Sequence, residues 1–314
     1  MFRFIALVLS IQAFSIQDAS QWRDPSPHRT HFVRVDESVR LEVLDWGGKG
    51  RPLIFVGCYL TAHVFDEIAP KLTPHFRVLA VTRRGLGASD RPTTGYDAER
   101  RAADILQVLD GLEIEKPILV GHSCGGWILH TIAAQHPQRV GGVAFLDGAE
   151  DPTLPLSAYA TPWRDPAKRP KPITKEPGVE FPEAERRGMA ERPVSAAIRN
   201  EILGHKERPQ FERMRVPILA IFRTTTLQQV LELSPPTTDE ERAVLFQLYA
   251  AMRGMLEKWE SDLRSGAPHA RIVELPGASL YMFLSNEADI IRELRMFAAT
   301  LSVVAPGELR KPAS

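Results

Sequence analysis

The chain has 314 residues, 44% of them hydrophobic, with 39 basic and 39 acidic side chains and a formal net charge of zero. That size suits one elaborated domain or two small ones around a large core, and the balanced charge supplies no basic field for nucleic acid. Two cysteines, Cys58 and Cys124, are too few for a disulfide scaffold.

Met1-Phe2-Arg3, an apolar run over residues 4–14 and the small residues Ala13 and Ser15 form the pattern of a secretory signal over residues 1–20. The run is too short to span a bilayer. A secreted or periplasmic location is expected, with no stable membrane insertion after signal removal.

Residues 31–35 and 39–45 alternate apolar and polar about the turn Asp36-Glu37-Ser38, which predicts an antiparallel hairpin. Residues 52–56 and 76–81 read as compact buried strands with an amphipathic helix over 65–72 between them. A helix over 98–112, a strand over 117–120, a helix over 124–136 and a strand over 140–146 follow, and this alternation implies a parallel sheet covered on both faces. Between residues 150 and 215 prolines recur, from Pro152 to Pro193, among Arg, Lys and Glu, and no long apolar period survives. A structureless loop of that length is rare inside a compact domain, so an inserted cap of short helices is expected at 150–215. The pattern resumes with a strand over 216–222, one or two helices over 239–264, a strand over 271–275 and a closing helix over 287–301. The core is thus expected at 30–149 and 216–302.

Gly121-His122-Ser123-Cys124-Gly125 lies between the apolar strand at 117–120 and the helix after it. A Gly-x-Ser-x-Gly run at a strand-to-helix junction is a candidate nucleophile elbow. The turn strains the serine backbone and leaves the hydroxyl above the sheet edge, and the N-terminus of the following helix favours a negative oxygen there.

Leu53-Ile54-Phe55-Val56-Gly57-Cys58 looks like the strand and oxyanion loop of the α/β-hydrolase superfamily, and Thr82-Arg83-Arg84-Gly85-Leu86-Gly87-Ala88-Ser89 is similar to its Arg-Gly-x-Gly-x-Ser turn. With the order of elements and the proline-rich insertion, residues 33–300 resemble that superfamily. The resemblance implies an α/β-hydrolase fold, a mostly parallel eight-stranded sheet flanked by helices with an inserted cap. It also implies hydrolysis of ester or amide bonds with Ser123 as nucleophile. The oxyanion hole then falls to the backbone N–H groups of Cys58 and Cys124. Free, packed thiols are expected at both positions, because disulfide geometry is narrow and a bond there would crowd the substrate, although an oxidising compartment would permit one.

Many relatives place the acid after the strand at 216–222, where this chain reads Arg223-Thr224-Thr225-Thr226, and others place it at the end of the preceding strand. Asp147, at the end of the strand beside the nucleophile strand, is the candidate acid, expected to face the loop of Leu280, with Glu150 and Asp151 just beyond. The family's Pro-Gly-Ala-x-His reads Pro276-Gly277-Ala278-Ser279-Leu280, so Leu280 occupies the position of the base. No other histidine is clearly placed to replace it; His63, just past the oxyanion loop, suits a helix start. Arg84 and Ser89 are expected to hold their turn. No metal-ligand cluster and no cofactor are expected, and the partner is a small-molecule substrate or ligand. Two functions compete: a secreted serine hydrolase, weak or inactive for want of its base, and a non-catalytic relative that binds a small ligand. Dehalogenase or epoxide-hydrolase chemistry is disfavoured, since those relatives use Asp where Ser123 stands.

Overall fold

The computed structural model describes residues 23–153, 179–204 and 206–301. The signal assigned to residues 1–20 lies outside them. Strands β1 (Arg29–Arg34) and β2 (Arg40–Gly47) form the expected hairpin, and β2 pairs antiparallel with β4 (Arg77–Thr82). All other pairings are parallel: β3 (Pro52–Val56) lies between β4 and β5 (Ile118–His122), followed by β6 (Gly142–Leu146), β7 (Ile218–Thr224) and β8 (Arg271–Pro276). The sheet thus has eight strands in the order β1-β2-β4-β3-β5-β6-β7-β8.

Alternate side chains of each strand go to opposite faces, and both faces are buried. On one, Ile54, Val56, Leu119, Val143 and Phe145 pack with helices α2 (Ala98–Gly111), α3 (Cys124–Gln135) and α7 (Asp239–Gly266). On the other, Leu53, Phe55, Val120, Ala144 and Leu146 pack with α1 (Ala69–Leu72), α8 (Met282–Ser285) and α9 (Glu287–Thr300). A strand covered on both sides must be apolar throughout, which is why β3, β5 and β6 carry continuous hydrophobic runs.

The helix expected over 65–72 is two pieces, a 3-10 turn over Ala62–Phe65 and the single turn α1. Pro70 explains the break. Without an N–H it fits the first turn of a helix but not its interior, and α1 begins immediately before it. Between β6 and β7 the described residues form α4 (Glu183–Glu191), α5 (Ala196–Gly204) and a 3-10 turn over Phe211–Arg213. Helix α6 (Leu227–Leu233) follows β7 behind a Thr226 capping box. Among the described residues no helix is long and apolar enough to cross a membrane.

Candidate functional site

Ser123 joins β5 to α3 with φ +50° and ψ −131°. Positive φ is disfavoured for a residue with a Cβ and costs on the order of 1–3 kcal/mol. Packing around the turn supports the strain. A Cβ on Gly125 would stand 2.1 Å from the Val56 carbonyl oxygen, and one on Gly126 2.2 Å from that of Gly148, so α3 can start this close to β3 and β6 only with glycine at both positions. The Ser123 amide donates to the Leu146 carbonyl at 3.0 Å, and the Ser123 carbonyl accepts from Gly126 N–H at 2.7 Å. The half-buried hydroxyl takes no hydrogen-bond partner among the described residues.

Cys58 and Cys124 are joined by a disulfide, Cα atoms 4.7 Å apart, which corrects the expectation of free thiols. The sheet register explains the pairing. Val56 stands opposite Gly121 in the parallel β3–β5 pair, so the residues just past both strand ends meet. The sulfurs pack with Tyr96 and Ile202, and Arg83 Nη2 approaches Cys124 Sγ at 3.6 Å. Neither the Cys58 nor the Cys124 amide donates to an acceptor among the described residues. Both N–H groups stay available while their side chains are tied together.

Asp147 follows β6 with φ +49°, at the same sheet edge as Ser123. Its carboxylate is engaged by β7: Arg223 Nε donates to Oδ2 at 2.8 Å and the Arg223 amide to Oδ1 at 3.3 Å. Asp147 thus forms an ion pair with the arginine that stands where many relatives carry an acid. Leu280 is half-buried on the loop after β8, and its carbonyl accepts from His122 Nε2–H at 2.9 Å. Burial pulls His122 down to about 4, so the ring is neutral and turned to the loop backbone. Glu150 accepts from Trp127 Nε1 at 2.9 Å, and burial pushes its carboxyl up to about 7.

Three other histidines have partners away from Ser123. His130, which burial lowers to about 3, packs between Phe145 and Phe211, and His269 donates to the Val216 carbonyl at 2.9 Å. His63 sits in the turn capped by Thr61, with Nδ1 against Asp24 and Asp66. Arg84 forks onto Asp104 at 2.5 and 2.6 Å, and Ser89 Oγ donates to the Thr82 carbonyl at 2.5 Å, so these two hold the turn as expected.

Two neighbours of the disulfide escaped the sequence pattern. Arg83 is 4% exposed, its Nε and Nη1 have no hydrogen-bond partner among the described residues, and burial lowers it to about 9, with Arg101 adding to the shift. The Tyr59 hydroxyl is likewise buried without a partner. The available signal was the second arginine before the Gly-x-Gly turn, masked by the better-known role of Arg84.

Glu185 of α4 is fully buried against the turn after Cys58. It accepts from the Thr61 amide at 3.1 and 3.2 Å and from Thr61 Oγ1. Burial, partly offset by those bonds, pushes it up to about 7 from an ordinary 4.5. Because the folded value lies above the unfolded one, this group's contribution is most favourable below pH 4.5 and is lost as pH rises toward about 7. His122 and His130 act oppositely, their contribution being present above 6.5 and lost as pH falls through their lowered values. Glu185→Gln isolates the first effect. Relative to the parent it should gain on the order of 2–3 kcal/mol in urea unfolding as pH rises across that window; a pH-independent difference would refute the assignment.

Comparison with known proteins agrees with the fold. Residues 51–174 match the family described as alpha/beta hydrolase fold. The AB hydrolase superfamily protein YisY of Bacillus subtilis is 34% identical over 153 residues, 48% of this chain and 50% of that protein. The 2-(acetamidomethylene)succinate hydrolase of Mesorhizobium japonicum is 38% identical over 120 residues, 37% of this chain and 43% of that protein. The chain thus spans half or less of the length of these curated relatives. The crystal structure of an E-2-(acetamidomethylene)succinate hydrolase superposes with a TM-score of 0.62 at 22% identity, covering 87% of this chain and 99% of that one. The chain has the α/β-hydrolase fold.

Proposed function

We propose that this chain is an exported serine hydrolase that attacks ester or amide carbonyls with Ser123 and turns over slowly. The observation that carries the reading is the elbow: a serine held at positive φ by glycine packing, beside two backbone amides with no acceptor among the described residues. Strain of this kind persists only where the surroundings impose it, and it gathers at active sites. Ser123 Oγ adds to the carbonyl carbon while the oxyanion takes the Cys58 and Cys124 N–H groups and the N-terminal end of α3. Collapse of the adduct expels the alcohol or amine and leaves an acyl-Ser123, which water then cleaves. With leucine at 280, Asp147 bound by Arg223 and Glu150 by Trp127, the serine proton passes to solvent. In subtilisin, loss of the base costs about a million-fold, yet the hole and binding alone retain about a thousand-fold over water.

Arg83 supports a finer reading. A buried guanidinium with two unpartnered donor atoms beside Cys124 suits an acyl group that carries a carboxylate. The hydrolase relative named above acts, by its name, on a succinate derivative. The Cys58–Cys124 bond supports export to an oxidising compartment. The second reading, a ligand-binding relative without turnover, is favoured by Leu280 and by the Asp147–Arg223 pair. Intact-mass spectrometry after incubation with nitrophenyl esters separates the two. Acyl-Ser123 should accumulate, faster from a succinyl half-ester than from the acetate, and that preference should disappear in Arg83→Met. Absence of any adduct that Ser123→Ala removes would leave only the binding reading.

A further inference from the structure

Asp24, His28, His63 and Asp66 each bring one ligand atom to a common point beside the turn that follows β3, all within 4.8 Å of one another. His63 Nδ1 is 3.0 Å from Asp24 Oδ2 and 3.1 Å from Asp66 Oδ2. His28 Nδ1 is 3.8 Å from Asp66 Oδ1, and its Nε2 is 3.9 Å from Asp24 Oδ2. Donors about 2.1 Å from a tetrahedral ion stand roughly 3.4 Å apart; the His63 separations are somewhat shorter than that, and those of His28, through either ring nitrogen, somewhat longer. The sequence hides the group, because Asp24 and His28 precede β1 while His63 and Asp66 belong to the 3-10 turn after the oxyanion loop.

We propose that these four side chains form a structural site for a four-coordinate divalent transition ion, zinc by its donor chemistry of two imidazole nitrogens and two carboxylate oxygens. A plain ion pair, protonated His63 between two aspartates, accounts for only part of the cluster. It leaves Asp24 Oδ2, His28 Nδ1 and Asp66 Oδ1 buried without a hydrogen-bond partner among the described residues, although the His28 and Asp66 side chains are only 8% and 5% exposed. Buried lone pairs facing one another are costly unless a donor or a cation lies between them. Calcium and magnesium take six or more ligands, mainly oxygen and often water, and do not suit a group that is half imidazole.

The surroundings orient the ligands. His28 lies edge-on to Trp46 with ring centroids 5.6 Å apart, and Trp46 Nε1 donates to Ser26 Oγ at 2.8 Å. Asp24 Oδ1 accepts from the Ser26 amide at 2.9 Å, which leaves Oδ2 for the ion. Four protein ligands leave no open position, so the ion fastens rather than catalyses. It ties the segment before β1 to the turn that Thr61 caps, directly after the loop carrying Cys58.

The test uses the full chain, stripped with a chelator and titrated with zinc alone. One zinc should bind per chain, cobalt should replace it with the intense visible bands of a tetrahedral site, and the melting temperature should rise about 5 °C at a hundredfold excess of free zinc over Kd. Asp24→Asn/His28→Gln should weaken binding at least ~10-fold. Zinc affinity equal in parent and variant, or a melting temperature indifferent to zinc and chelator, would overturn the site. Should the variant not fold, the parent's cobalt spectrum decides, and weak octahedral bands count against it.

Discussion

Leu280→His should hydrolyse a short-chain nitrophenyl ester at least ~100-fold faster than the parent, the lower end of what a positioned general base supplies. The scaffold for that gain is in place. Residue 280 lies on the loop after β8, and the contact that fixes it there, His122 Nε2–H to the Leu280 carbonyl, belongs to the backbone and survives replacement of the side chain. An imidazole at 280 needs Ser123 Oγ on one nitrogen and a carboxylate on the other. Asp147 is the carboxylate to hand, but Arg223 Nε holds its Oδ2 at 2.8 Å. Adding Arg223→Ala should therefore raise the rate further, and adding Ser123→Ala should abolish the gain. Burying an imidazole carries its own desolvation cost, so unfolding is measured alongside. A folded Leu280→His protein without faster hydrolysis would favour the binding reading.

The second large effect concerns the disulfide. Cys58→Ala/Cys124→Ala should lose about 4 kcal/mol in urea unfolding and roughly 10 °C in melting temperature, the loop-closure value for a sequence separation of 66. Acylation of Ser123 should slow in the same variant, because the bond tethers the two residues whose amides the proposed mechanism assigns to the oxyanion. A variant as stable as the parent would show that sheet packing alone sets that geometry.

The fold was legible because both faces of the sheet are covered. Every central strand is then apolar throughout, and the alternation with helices reads directly from residues 52 to 146. Pro70 marked the break before α1, but the amphipathic pattern around it outweighed that single residue. At the site, Gly121, Ser123 and Gly125 marked the tight strand-to-helix turn that holds Ser123 at positive φ. What could not be read was convergence of residues distant in sequence. The bond between Cys58 and Cys124 depends on the β3–β5 register, and the Arg223 clasp on Asp147 depends on the neighbouring β6 and β7. Arg83 and Glu185 are exceptional only through burial, and charged residues carry no sequence mark of being buried.

The most direct test of Ser123 as nucleophile is labelling of the folded protein with a fluorophosphonate, read by peptide mass spectrometry. That probe asks for a reactive serine without requiring knowledge of the substrate. A single adduct on the peptide containing Ser123, lost on denaturation and absent from Ser123→Ala, is the predicted result. An unlabelled Ser123, or equal labelling of the parent and Ser123→Ala, would contradict it.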